Sequence, residues 1–182
     1  FSLHDALPIC YIDHSDSMGA AARFGRGDVQ WMTAGSGVVH SEMFPLLSAY
    51  DDNPVELFQI WLNLPAADKM VEPHFTMFWA EDIPSFRHLD AAGRGTTVTV
   101  IAGTHEVDGQ VLVPPSPPPA SWASRHEADL AIWHMVLEPG ASFTVRPTHG
   151  LDTVRVMYVF EGAASIGGDQ CATNTGAVVD RG

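Results

Sequence analysis

The chain has 182 residues, 46% of them hydrophobic and 17% charged, so it can bury a core and is not a disordered segment. Its 9 basic residues stand against 22 acidic ones, for a formal net charge of −13, with no Lys/Arg-rich run. A surface this acidic repels phosphate backbones and anionic lipid, so no direct nucleic-acid partner and no membrane partner is expected.

The 13 Pro and 16 Gly are spread along the chain and mark frequent turns, which favours β structure. The two cysteines, Cys10 and Cys171, form neither a CxxC motif nor a disulfide framework. They read as reduced thiols, the expectation for a cytoplasmic protein. No apolar run is long enough to span a bilayer.

In chain order, Ser2 to Ile9 resembles translated sequencing-adapter read-through, with an ordinary first strand and turn as the alternative, and His4 and Asp5 receive no role. His14-Ser15-Asp16-Ser17-Met18-Gly19 reads as a turn, because Asp and Ser bond back to nearby backbone and Gly tolerates positive φ. His14 is then a turn or surface histidine. Arg26-Gly27-Asp28 is a second turn, and Val29 to Thr33 a strand. Ala34-Gly35-Ser36-Gly37 turns the chain into Val38-Val39-His40.

Val55 to Leu64 gives the clearest strand signal: Phe58, Ile60, Leu62 and Leu64 alternate with Gln59, Trp61 and Asn63. Phe75 to Trp79 is an aromatic-rich strand. Ala80 to Gly95 has little apolar pattern and reads as a boundary, with 81–95 as a linker. Thr96 to Ala102 is a β-branched strand, and Gly103 to Gln110 a polar loop. Pro114 to Pro119 forms no central strand or helix and reads as a polyproline-like surface loop; no basic residue flanks it to support an SH3-type ligand. Ala131 to Leu137, the short Phe143 to Arg146 and Val154 to Phe160 complete the strands, before a Gly-rich polar end with no capping element. Many short strands and no long helix predict an all-β sandwich or barrel.

One stretch proposes chemistry. Gly27 to Phe44 ends in His40-Ser41-Glu42. On a strand, residues i and i+2 point to the same side, so this imidazole and carboxylate can converge on one ion. Alone, the pair is a weak signal, because metal sites need three or four protein ligands. His74, His88, His105, His126 and His149 lie in polar or turn contexts and are expected exposed, and His134 packed on a strand. Trp31, Trp61, Trp79 and Trp133 are expected in the core.

The run from Gly27 to Met43, GDVQWMTAGSGVVHSEM, resembles the pirin family signature. Further pieces agree in order: HSDSMG at 14–19, FQIWLNLP at 58–65, KMVEP at 69–73, VIAG at 100–103 and LEPGA at 137–141, so the resemblance covers roughly Tyr11 to Gly168. It implies a bicupin, two cupin-type antiparallel β-barrels (jelly rolls) in one chain. Here both would be incomplete: 1–80 the C-terminal part of the first barrel, 81–95 a linker, 96–182 an incomplete second barrel.

Pirins normally hold iron in the N-terminal barrel through three histidines and a glutamate. Carried over by motif, His40 and Glu42 are the metal residues, and Glu42 is also the catalytic base. The other two histidines belong to a His-x-His motif, and this sequence contains none. Laying Gly140 on the generic cupin metal motif puts Arg146 and Thr148 at the histidine positions, so the second barrel is expected to be metal-free. The resemblance implies an iron-dependent quercetin 2,3-dioxygenase that opens a flavonol with O₂. The alternatives are a non-catalytic metal- or redox-sensing transcriptional co-regulator that binds a protein partner, or an inactive fragment in which iron binding is weak or absent.

Overall fold

The computed structural model describes residues 11–146, 150 and 153–179. Residues 1–10, His149 and the proposed metal-motif position at Thr148 lie outside them. Among the described residues there are fourteen strands: β1 (Ile12–Asp16), β2 (Ala21–Phe24), β3 (Val29–Thr33), β4 (His40–Met43), β5 (His74–Phe78), β6 (Ser85–Leu89), β7 (Gly95–Ala102), β8 (His105–Val107), β9 (Gln110–Leu112), β10 (Ile132–Leu137), β11 (Arg155–Val159), β12 (Ala164–Ile166), β13 (Asp169–Cys171) and β14 (Thr175–Val179). The helices among the described residues are four single 3-10 turns. The fold is all-β, and every strand pair is antiparallel.

The chain divides into two compact units, one running to Phe143 and one from Thr144. The first holds the sheets β2-β1-β4 and β6-β7-β10 and the pairs β3-β5 and β8-β9. The second holds the pairs β11-β14 and β12-β13.

The core of the first unit gathers Val29 and Trp31 of β3, Phe78 of β5, Ile83, and Ile101 and Ala102 of β7. Strand β7 is its backbone. It pairs along both edges, side chains on both of its faces are buried, and Val98 and Val100 are fully buried. β-Branched side chains suit a strand of this kind, because they pack well on the pleated surface.

Several strands lie where the sequence puts them, and several expectations are corrected. Val55 to Leu64 joins no ladder. Phe58, Leu62 and Leu64 are half-buried and Leu62 packs on the core, but no strand edge is paired to the segment. Period-two burial reports an extended chain on a surface; a strand also needs a partner edge. The 81–95 segment is not simply a linker, since β6 pairs along β7 from Ser85↔Thr99 to Leu89↔Gly95. Its inward positions are Phe86 and His88, and a histidine hides the apolar alternation.

The loop expected at 103–110 contains β8 and begins β9. Asp108 and Gly109 both have positive φ, the requirement of a tight two-residue hairpin turn. Phe143 to Arg146 forms no strand. The polar C-terminal stretch forms β12, β13 and β14, with Gly167 and Gly168 at positive φ in the β12–β13 turn.

Candidate functional site

The site is built on β1, which lies between β2 and β4. Its sequence, IDHSD, is polar enough to suggest a turn, yet it alternates: Ile12 and His14 are buried, and Asp13 and Ser15 face the other way. The turn proper is confined to residues 17–19. Asp16 caps it, its Oδ1 accepting from the backbone N–H of Met18 (2.9 Å) and of Ala20 (3.0 Å).

Two contacts fix where β4 begins. The Ser17 N–H donates to the Val39 carbonyl at 2.8 Å, and the Val39 N–H donates to Ser17 Oγ at 3.1 Å. Upstream, Gly35 sits at φ +49 against Val71, whose carbonyl accepts from the Ser36 N–H at 2.9 Å. A Cβ on Gly35 would lie 2.0 Å from that carbonyl oxygen, so glycine is required both for the close approach and for the backbone angle.

Strands β1 and β4 pair antiparallel, with His14 opposite Glu42 and Asp16 opposite His40. Directly opposed residues present their side chains on one face. That face therefore carries His14, Asp16, His40 and Glu42. The sequence expectation that His40 and Glu42 share a side holds in the register.

His14 is neither a turn nor a surface residue, which corrects the sequence reading. It is 3% exposed. Its Nε2 lies 3.1 Å from Asp16 Oδ2, and both side chains are fully covered. Its ring stacks on Phe75 of β5 with centroids 4.6 Å apart, and on His40 at 5.5 Å. His14 Nδ1 is buried with no hydrogen-bond partner. Burial pushes the Asp16 carboxyl up, but the His14 side chain and the Ala20 and Met18 N–H groups outweigh it and hold it below the ordinary carboxylate range.

His40 is exposed on the face and Glu42 is half-buried. Both line a cavity of about 1130 Å³, whose wall includes Trp31, Phe58, Leu62 and Ile132. The mixture of an apolar wall and a few polar groups is that of a small-molecule site. The sequence reading gave His14 a turn or surface place and Phe75 no role beyond its strand. The alternation of His14 and Asp16, two apart like His40 and Glu42, was the signal available for the first.

Among the described residues, no group of three His, Cys, Asp or Glu side chains is placed to hold a metal ion. His40 and Glu42 are suitable donors for iron, but two donors do not make its shell. The residues present thus do not by themselves fit the metal. Two other sequence expectations are corrected. His105 is 3% exposed and packs against Trp133 in a tilted ring contact, centroids 4.3 Å apart. Trp61 is 85% exposed, its Nε1 donating to Gln59 Oε1, and Trp79 is also exposed. Trp31 is in the core, as expected.

The profile of the family described as Pirin matches residues 9–62. A Pseudomonas aeruginosa protein named "Putative quercetin 2,3-dioxygenase" is 32% identical over 170 residues, which are 93% of this chain and 54% of that protein. Human pirin is 38% identical over 90 residues, 50% of this chain and 28% of its own. The crystal structure of quercetin 2,3-dioxygenase from Acinetobacter baumannii superposes with a TM-score of 0.54 at 25% identity, covering 94% of this chain and 54% of that one. The chain thus spans about half the length of the relatives that it matches along most of its own.

The all-β architecture and these neighbours define a cupin. Within the cupins, the chain belongs to the pirin family. No helix among the described residues is long and apolar enough to cross a membrane.

Proposed function

We propose that the whole protein is a pirin-like bicupin that opens a flavonol with O₂, and that the cavity beside His40 and Glu42 receives the substrate. One observation carries this reading: His40 and Glu42 stand on one sheet face and both line the cavity of about 1130 Å³. The apolar wall of Trp31, Phe58, Leu62 and Ile132 suits a flat aromatic ring system. The Glu42 carboxylate is the group to accept the proton of a substrate hydroxyl, as a base within hydrogen-bond reach does. The names of the P. aeruginosa relative and the A. baumannii structure support the substrate class.

In this reading, residues up to 80 belong to the N-terminal cupin domain, and the second cupin domain follows. His40 and Glu42 are two of four metal donors. The other two are the His-x-His pair that the family resemblance implies and these 182 residues lack. Iron, when bound, supplies the O₂ chemistry.

The test is O₂ uptake and CO release with quercetin by the full-length iron-loaded protein. Turnover that is lost in Glu42→Gln supports the reading; no turnover with iron fully bound contradicts it. The 182 residues alone, with two donors, are expected to be inactive. A second reading, a metal-dependent co-regulator, is favoured by the exposure of Leu46, Tyr50 and Trp61, side chains suited to a protein partner. Metal-dependent partner binding without turnover would select it.

A further inference from the structure

His40 stands at the start of β4 with its side chain exposed, and it makes no side-chain hydrogen bond among the described residues. A ring in that position has free rotamers, and a group that must meet an ion or a substrate works best when its rotamer is held. The ring contact recorded for His40 is the stack on His14.

His14 is itself held on two sides. Asp16 takes its Nε2, and Phe75 covers its ring at 4.6 Å with an interplanar angle of 14°. With Nε2 given to the carboxylate, Nδ1 is left buried without a partner. An unsatisfied buried nitrogen is a cost the fold tolerates here. Phenylalanine or leucine at this position would fill the space without it. What an imidazole adds is the tie to Asp16, and Asp16 in turn is fixed to the Met18 and Ala20 N–H groups of the turn.

We propose that His14 is a positioning residue: anchored by Asp16 and Phe75, its ring is the platform that sets the orientation of the His40 imidazole beside Glu42. The proposal rests on the reading of His40 as a metal donor for its purpose, but the orientation itself exists without metal. His14 does not line the cavity. It acts through His40.

The experiment follows the His40 ring directly. In the metal-free purified chain, the His40 Cε1–Hε1 signal is assigned by comparison with His40→Gln. Stacking on His14 should displace this signal from its free-histidine position by ring current. His14→Ala should return it to the free position, with the fold intact by circular dichroism. His14→Phe, which keeps a ring on the platform, should retain the displacement. A displaced signal that is unchanged in folded His14→Ala overturns the proposal. Should His14→Ala fail to fold, His14→Gln, which keeps a polar side chain but removes the ring, decides: return to the free position supports the proposal and an unchanged displacement overturns it.

Discussion

Strand β7 and residues 55–64 both carry regularly spaced apolar side chains within the same compact unit. β7 lies between β6 and β10, its backbone groups satisfied on both edges, with Val98 and Val100 fully buried. The 55–64 segment has no ladder, and it leaves Val55, Leu57, Ile60 and Trp61 exposed while Leu62 reaches the core. The difference lies in the partner edge. Side-chain pattern sets which atoms turn inward, but neighbouring strands decide how much area is removed from water and whether backbone donors are met. The proposed pair, His40 and Glu42, sits on the border between these regimes, on a strand paired to β1 and facing a cavity that the 55–64 segment lines.

The largest effect should come from the dense side. Ile101→Ala removes a buried branched side chain from the β7 core and should destabilise the first unit by roughly 2–5 kcal/mol, read as a lowered denaturant midpoint. A change below about 0.5 kcal/mol would mean that the core is not centred on β7.

Next comes Gly35→Ala. With φ at +49 and the Val71 carbonyl in the way of any Cβ, it should cost more than about 1 kcal/mol and displace the loop that leads into His40. Neutral behaviour would show that the loop does not depend on that approach.

A smaller, pH-dependent effect tests the corner where β6 and β7 meet the end of β10. Hydrogen bonds from the Arg94 backbone N–H, against some desolvation, and from the Ala92 and Ser142 N–H groups and the Arg94 side chain hold the Asp90 carboxyl down at about 2. A depressed carboxylate contributes stability that is complete above its unfolded value near 3.8 and is lost as pH falls towards about 2. Asp90→Asn should therefore lower the melting temperature at pH 7, and the gap from wild type should close between about pH 4 and pH 2. A gap that persists at pH 2 would assign the role to shape and not to charge. The Arg87–Glu138 pair at the same corner, with Glu138 also accepting from the Gly95 N–H at 2.8 Å, belongs to the same network.

The smallest effect should be on the open side. Trp61→Ser removes an exposed ring and should change stability by less than about 0.5 kcal/mol. A larger loss would show that the 55–64 segment is packed in solution in a way its exposure does not suggest.

Much of the fold was legible. Val29–Thr33, Gly95–Ala102, Ile132–Leu137 and Arg155–Val159 are strands whose β-branched or alternating side chains announce them. What escaped was polar or short. β1 hides behind Asp, His and Ser, whose turn-forming habit outweighs a five-residue alternation. The β8–β9 hairpin hides behind charged residues, although Asp108-Gly109 is a turn signal by itself. For the site, His40 and Glu42 are legible because they are two apart on one strand. His14 and Phe75 come from other strands, and only the pairing of β1 with β4 and the stack on β5 brings them in.

Iron binding by the full-length protein, compared among wild type, His40→Ala and Glu42→Gln, tests the central claim most directly. The account predicts that wild type holds iron and that each variant loses most of it while remaining folded. Iron retained at wild-type level in both variants would contradict the assignment of His40 and Glu42 as half of the metal shell.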